Sequence, residues 1–161
     1  MFRRTASITS TTAATSTEAR FVISGHRCEY LVGTEHYPQV YARAREGQPV
    51  LVELHAEVGN PHDPNAIAGK VGGHVAGYLR QDVAAKYRKA LEQAHSLGYR
   101  ICVSTEFRPR KDGTIGLGWL DIPSAEALKQ WLALPPEERA AGFDFPAGKS
   151  PNTPRAVGTP G

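Results

Sequence analysis

Two short apolar runs, separated by only two glycines, constrain the fold of this chain more than any other feature. Residues 66–71 and residues 74–79 each fit a short β-strand, and Gly72-Gly73 lies between them. Two-residue connections join antiparallel strands, because the favoured hairpin turns need positive φ angles that glycine adopts at little cost. The sequence therefore predicts a β-hairpin over residues 66–79, against which the other elements must pack.

Alternating apolar side chains predict further strands on both sides of this hairpin. Val50, Val52 and Leu54 point to one side, whereas Glu53 and His55 point to the other. The same reasoning predicts additional strands at residues 27–33, 37–44, 99–107 and 114–120. Among the aromatic residues we expect five in the core: Tyr30, Tyr87, Tyr99, Phe107 and Trp119.

One long amphipathic helix is predicted after the hairpin. Asp82 is a suitable N-cap, apolar residues recur at helical spacing from Val83 to Leu97, and Gly98 is suited to end the helix. Ser124 is predicted to cap a short helix that ends near Ala133. Short strands with one long helix predict a mainly β fold, in the form of a curled sheet or a partly closed small β-barrel.

Composition divides the chain into four parts. Residues 1–20 are rich in Thr, Ser and Ala and residues 146–161 in Pro and Gly, so we expect two disordered tails. Between them lie a folded domain at residues 21–121 and a helical appendage at residues 122–145. Cys28 and Cys102 are expected to be reduced thiols of a cytoplasmic protein, with a single disulfide between strands as the alternative.

Charge is distributed unevenly along the chain. The formal net charge is +3, but residues 21–145 carry 14 basic and 15 acidic side chains, which is less basic than a domain that grips duplex DNA by charge alone. Eight basic residues between Arg80 and Lys111 face only three acidic ones. This stretch is compatible with a positive face on a neutral body and equally with an ordinary solvated surface.

Several motifs resemble the HIRAN domain family. The matching residues span about 90 positions, and the most specific stretches are Asn60-Pro61-His62-Asp63-Pro64-Asn65-Ala66-Ile67 and Val75-Ala76-Gly77-Tyr78-Leu79-Arg80, together with Val32-Gly33 and His36-Tyr37. The resemblance implies an OB-like fold that binds the free 3′ end of single-stranded DNA during replication or repair. It also implies a helicase or nuclease partner acting in trans, because the chain has no Walker motif of its own.

The resemblance implies the site residues as well. Asp63 occupies the family position that accepts a hydrogen bond from the terminal 3′-hydroxyl. Relatives usually carry tyrosine at the position of His62 and often at that of His36, and the end-binding relatives carry arginine at that of Glu35. We expect bases to stack on rings and phosphates to meet basic groups. The full set is Asp63, His62, His36, Tyr37, Tyr78, Arg80 and Lys86.

Other interpretations of the same residues remain open. Asn60, Asp63 and Asn65 are also suited to tie a loop by side-chain to backbone hydrogen bonds, and Tyr78 to pack as an ordinary strand residue.

Trp131 and Leu132 motivate an alternative function, docking of a protein partner. A metal-dependent hydrolase acting on phosphate esters or acid anhydrides is a further alternative, with His55, His62, Asp63 and His74 as converging ligands. No catalytic or metal-binding motif is present, so we expect neither an enzyme nor a cofactor nor a membrane segment.

Overall fold

The computed structural model describes residues 19–139. Nine strands and three α-helices lie within this range. The strands are β1 (Ala19–Ile23), β2 (Arg27–Glu29), β3 (Leu31–Val32), β4 (Pro49–Ala56), β5 (Ile67–Val71), β6 (His74–Leu79), β7 (Tyr99–Pro109), β8 (Ile115–Leu117) and β9 (Leu120–Ile122). The helices are α1 (Pro38–Tyr41), α2 (Gln81–Ser96) and α3 (Ala125–Leu132), and 3-10 turns cover Thr34–His36 and Pro136–Glu138.

The strands form one mixed sheet in the order β1-β7-β4-β5-β6-β3, with β8 beside β7, while β9 and β2 form a separate two-stranded ribbon. β1 runs parallel to β7, and the other pairs are antiparallel. The predicted hairpin is confirmed, since Gly72 and Gly73 connect β5 to β6 with φ angles of 58° and 84°. β1 and β3 lie at opposite ends of the order, so the described sheet is not a closed barrel.

The predicted fold class is correct in its coarse form and wrong in one detail. Strands hold 39% of the described residues and helices 28%, so the described fold is mainly β. A single helix in the fold class is wrong in number, because residues 19–139 contain three helices, of which α2 is the predicted long one. Residues 37–44, predicted as a strand, instead contain the short helix α1. Pro38 occupies its first turn, where a missing backbone N–H costs nothing, and Tyr41 buries its ring beneath β6 and donates its hydroxyl to Ala76 O at 2.8 Å.

The boundaries of α2 differ slightly from those predicted. Arg80, and not Asp82, is the N-cap residue, and Asp82 lies in the first turn, where a carboxylate is stabilised by the positive end of the helix dipole. Gly98 follows the helix with a φ of 81°, as expected for a glycine at this position. Ser124 caps α3 as predicted, since its hydroxyl accepts a hydrogen bond from Ala127 N at 3.1 Å.

The core lies between the sheet and helices α2 and α3. Val52, Leu54 and Ala56 form the inward face of β4, and Ile101 and Val103 continue it on β7. The apolar faces of both helices cover this layer, with these buried side chains: Val83, Tyr87, Ala90, Leu91, Ala94, Leu128 and Trp131. Burial of this continuous apolar layer is the main force that stabilises the fold.

Two expectations about the ends of the folded region change. Ala19 and Arg20, which composition assigned to the N-terminal tail, pair with Tyr99 and Arg100 in the sheet. Trp131 and Leu132, which motivated a protein-docking helix, are 0% and 3% exposed and belong to the core, so they are not available to a partner. The rest of the predicted tails, residues 1–18 and 146–161, lies outside the described residues.

The two cysteines are free and lie in different surroundings. Cys102 is buried in β7, and Cys28 is exposed on β2, where its thiol donates to Asp121 Oδ1 at 3.2 Å. Cys28 and Cys102 are therefore not bonded to each other, in agreement with the expectation of two thiols.

Among the described helices, none combines the length and the apolarity that crossing a lipid bilayer requires.

Candidate nucleic-acid interface

The loop that carries Asp63 is held in shape by its own side chains. Asn60 Oδ1 accepts hydrogen bonds from the backbone N–H groups of His62 and Asp63, at 2.8 and 3.1 Å. Asp63 Oδ1 accepts from Asn65 N at 2.9 Å, and Asp63 O accepts from Ala66 N at 3.1 Å. Asn60 and Asp63 therefore act as turn formers. The other carboxylate oxygen of Asp63 has no hydrogen-bond donor among residues 19–139.

Glu57 connects this loop to the neighbouring hairpin. Its Oε1 accepts from Asn60 Nδ2 at 3.0 Å, and its Oε2 accepts from the Tyr78 hydroxyl at 2.9 Å. We did not predict Glu57 as a site residue. The signal was present, because Glu53, His55 and Glu57 continue the alternation of β4 on its outward side. Glu57 thus fixes the distance between the Asp63 loop and the ring of Tyr78.

Tyr37 and Tyr78 form a half-buried aromatic pair beside this network. Their ring centroids are 6.3 Å apart, and the exposed ring of His36 lies 6.4 Å from that of Tyr37. The pair forms because Val32 is the partner of Tyr78 in the β3–β6 ladder and the next turn of chain leads to Tyr37. Burial, and then the hydrogen bonds with Glu57 and Tyr37, raise the pKa of Tyr78, so its hydroxyl stays protonated and donates to Glu57.

Arg80, the predicted phosphate ligand, is partly occupied by carboxylates. Its guanidinium lies 3.4 Å from the buried carboxylate of Glu29 and 3.7 Å from that of Asp82, and 41% of the side chain remains exposed. The guanidinium carbon also lies 5.7 Å from the ring centroid of Tyr30. Two acidic neighbours offset its positive charge, so Arg80 offers a phosphate less attraction than a solitary arginine would.

Tyr30 and Trp119, both expected in the core, are exposed instead. They are 44% and 61% exposed and pack edge to face, with ring centroids 5.5 Å apart. Trp119 lies between β8 and β9 and borders a groove of about 750 Å³ that also contains Cys28, Arg108 and Asp121. The prediction of burial is wrong because alternation along a short edge strand does not reveal which of its two faces is covered.

The other predicted site residues lie in different places. His62 is exposed at the tip of the Asp63 loop. Lys86 lies on α2 in a separate groove, whose wall includes Pro64 and Asn65 from the end of that loop. The structure therefore links the Asp63 loop, through Asn60 and Glu57, to Tyr78, which lies in a row with Tyr37 and His36. It places Arg80 beside Tyr30 and Lys86 in another groove.

No metal centre is evident in the described part of the chain. Within residues 19–139, His, Cys, Asp and Glu side chains form no group of three or more that could hold a metal ion. His55, His62, Asp63 and His74 therefore do not converge as the metal-site alternative required. His55 instead lies beside His95, with ring centroids 5.4 Å apart.

Compared with family models, with curated proteins and with solved structures, the chain matches none of them. The resemblance to the HIRAN family therefore depends on the motifs around Asp63 and Tyr78, and membership in that family stays a prediction.

Proposed function

We propose that this chain is a nucleic-acid-binding module that receives the free 3′ end of single-stranded DNA in replication or repair. The observation that carries the proposal is the arrangement around Glu57, which links the turn of the partly free Asp63 carboxylate, through Asn60, to Tyr78 and its neighbouring ring Tyr37. The resemblance to the HIRAN family supports the same ligand. On the same ground we propose that the open sheet is a variant of an OB-like fold.

The tyrosine pair supplies a surface for the last bases of a strand. Each stacked base contributes about 1–3 kcal/mol, and stacking tolerates any base because all of them have a π face. Terminal bases are the easiest to take up, because they have a stacking neighbour on one side only. The ring pair lies near one edge of the sheet, because Tyr37 follows the edge strand β3 and Tyr78 lies on its neighbour β6.

The Asp63 carboxylate supplies recognition of the hydroxyl. One of its oxygens is used by the turn, and the other is available to accept a hydrogen bond from a 3′-hydroxyl group. A hydrogen bond to a charged acceptor contributes about 1.5–3 kcal/mol. A terminal phosphate meets electrostatic repulsion from Asp63 and Glu57 instead. The turn is held in place before the ligand arrives, which lowers the entropic cost of binding.

Fluorescence anisotropy with matched oligonucleotides tests this proposal. We expect the wild-type protein to bind a strand with a 3′-hydroxyl about tenfold more tightly than one with a 3′-phosphate, as expected for about 1.4 kcal/mol. Asp63→Asn keeps an oxygen for Asn65 N but removes the charge, so the turn is retained and the tenfold difference should largely disappear.

The chain offers a matched control for this substitution. Asp112 Oδ1 accepts from Thr114 N at 2.9 Å, which is the same turn geometry as that of Asp63. Asp112→Asn should leave the preference for the 3′-hydroxyl unchanged. Equal binding of both oligonucleotides by the wild-type protein would exclude end recognition, and no binding of either at low salt would exclude the function.

The exposed Tyr30–Trp119 pair favours a second candidate, docking of a protein partner. Exposed aromatic pairs of this size are typical of protein interfaces, and the neighbouring carboxylates of Glu106 and Asp121 do not favour a phosphate. Crosslinking after nuclease treatment should then recover a defined partner with the wild-type protein and not with Trp119→Ala. Recovery of the same partner by both proteins would exclude this surface.

A further inference from the structure

A second groove begins where the Asp63 loop ends. It has a volume of about 580 Å³ and lies between α2, α3 and the loop. Pro64 and Asn65, which follow Asp63 directly, form one wall, and residues of α2 and α3 form the others. The groove therefore begins one residue after Asp63 along the chain, next to the proposed position of the strand end.

The groove is lined by basic side chains that are not neutralised. Lys86, Lys89 and Lys129 are exposed, and none of their ammonium groups forms an ion pair with a described residue. Arg88 is the exception, since it pairs with Glu92 at 2.8 Å and donates to Ala66 O at 3.0 Å. The carboxylates of Glu92 and Glu126 also line the groove, but four basic side chains outnumber them, so the groove keeps a net positive charge.

The geometry of α2 suits a series of phosphates. Lys86 and Lys89 are three residues apart and lie on the same face, about 4.5 Å apart along the helix axis. Phosphates of one strand advance by about 3.4 Å per nucleotide along the axis of a duplex and by more in an extended single strand, a distance that two flexible lysine side chains can span. Lys129 faces them from α3, which lies outside the residues that resemble the HIRAN family.

We infer that this groove, which we call the lysine groove, holds the sugar-phosphate backbone of the strand on the 5′ side of the bound end. The inference rests on the proposed function, and it adds a ligand path that the rings alone do not provide. It also assigns a role to α3, which completes the groove by supplying Lys129. The lysine contacts are independent of sequence, since each meets a phosphate and not a base.

A length series of oligothymidylates with a 3′-hydroxyl tests this inference. The variant carries Lys86→Gln, Lys89→Gln and Lys129→Gln, and its control carries Arg43→Gln, Arg45→Gln and Lys111→Gln, which are exposed and do not line the groove. Two-nucleotide ligands should bind the variant as they bind the wild type. Twelve-nucleotide ligands should bind it about tenfold more weakly at low salt, with a salt slope lower by about 2.

Neutral linkages in the ligand give a second measurement that does not depend on folding of a variant. Methylphosphonates at the second to fourth linkages from the 3′ end should reduce wild-type affinity as the lysine substitutions do. The control protein should keep the full length dependence. If the lysine variant keeps it too, the groove is not the path, although binding of the short ligand still supports the proposed function. If the wild type binds no oligonucleotide, both proposals are wrong.

Discussion

Single side chains in this protein combine an observed structural role with a role in the proposed site. Asp63 closes its turn with one oxygen, and its other oxygen, which no residue among 19–139 donates to, is the proposed ligand acceptor. Glu57 holds the loop and Tyr78 in fixed positions by accepting from both. Alanine substitutions at these positions would therefore change the loop and the ligand contacts together. Asp63→Asn distinguishes the two roles, because it keeps the hydrogen bond from Asn65 N that closes the turn and removes only the negative charge.

His55 is expected to make stability depend on pH. Burial, and then the charges of Lys70 and His95, lower the pKa of His55 below its usual value near 6.5, whereas Glu53 and Glu57 act in the opposite direction. Below that value the unfolded chain binds the proton more readily than the folded one, so the free energy of unfolding falls as the pH falls. Above it, His55 is neutral in both states and contributes no slope.

Urea denaturation between about pH 8 and pH 5 measures this dependence. His55→Gln should flatten the profile below about pH 6.5. His26→Gln, which removes an exposed histidine, is the control and should leave the slope unchanged. A His55→Gln profile parallel to that of the wild type would contradict the assignment.

At the scale of elements, the site depends on how closely β3 approaches β6. Gly77 permits this approach, because a Cβ at its position would lie 2.9 Å from Val32 O and 2.9 Å from Thr34 Cγ2. The backbone oxygen cannot move away without disturbing the β3–β6 ladder, which pairs Val32 with Tyr78. The turn that carries His36 and Tyr37 follows directly, so the position of the rings depends on this contact.

Gly77→Ala should therefore reduce both stability and binding. We expect the free energy of unfolding to fall by about 1–3 kcal/mol, as for other overpacked sites. Gly113→Ala is the control, because its Cβ would meet no atom within 4 Å and only the positive φ of 87° opposes it. Urea melts should show a larger loss for Gly77→Ala, and equal losses would show that close approach is not the cause.

At the scale of the whole molecule, the two tryptophans have opposite roles. Trp131 is fully buried and packs edge to face against Phe21 of β1, with ring centroids 5.0 Å apart. It therefore joins α3 to the far edge of the sheet. Trp119 is 61% exposed and touches Tyr30 at the surface. Helix α3 is thus part of the same core as the sheet, and it helps to form the lysine groove from that position.

Replacing each tryptophan by alanine should separate these roles. Trp131→Ala should lower the free energy of unfolding by about 3–5 kcal/mol, because it leaves a large cavity in the core. Trp119→Ala should lower it by less than about 1 kcal/mol, because most of its ring is already in water. Urea denaturation followed by circular dichroism measures both, and similar losses would contradict the assigned burial.

The sequence by itself determined the local elements of this protein. The β5–β6 hairpin, the end of α2 at Gly98 and the Ser124 cap all lie where they were predicted, because turn chemistry and side-chain periodicity act over a few residues. It also determined the turn at Asp63. Only tertiary structure decided that Trp119 is exposed and Trp131 buried, that Tyr37 follows a turn before a short helix, and that Glu57 joins the loop to Tyr78. Exposure and pairing depend on which distant segments cover a side chain, and local patterns do not specify those segments.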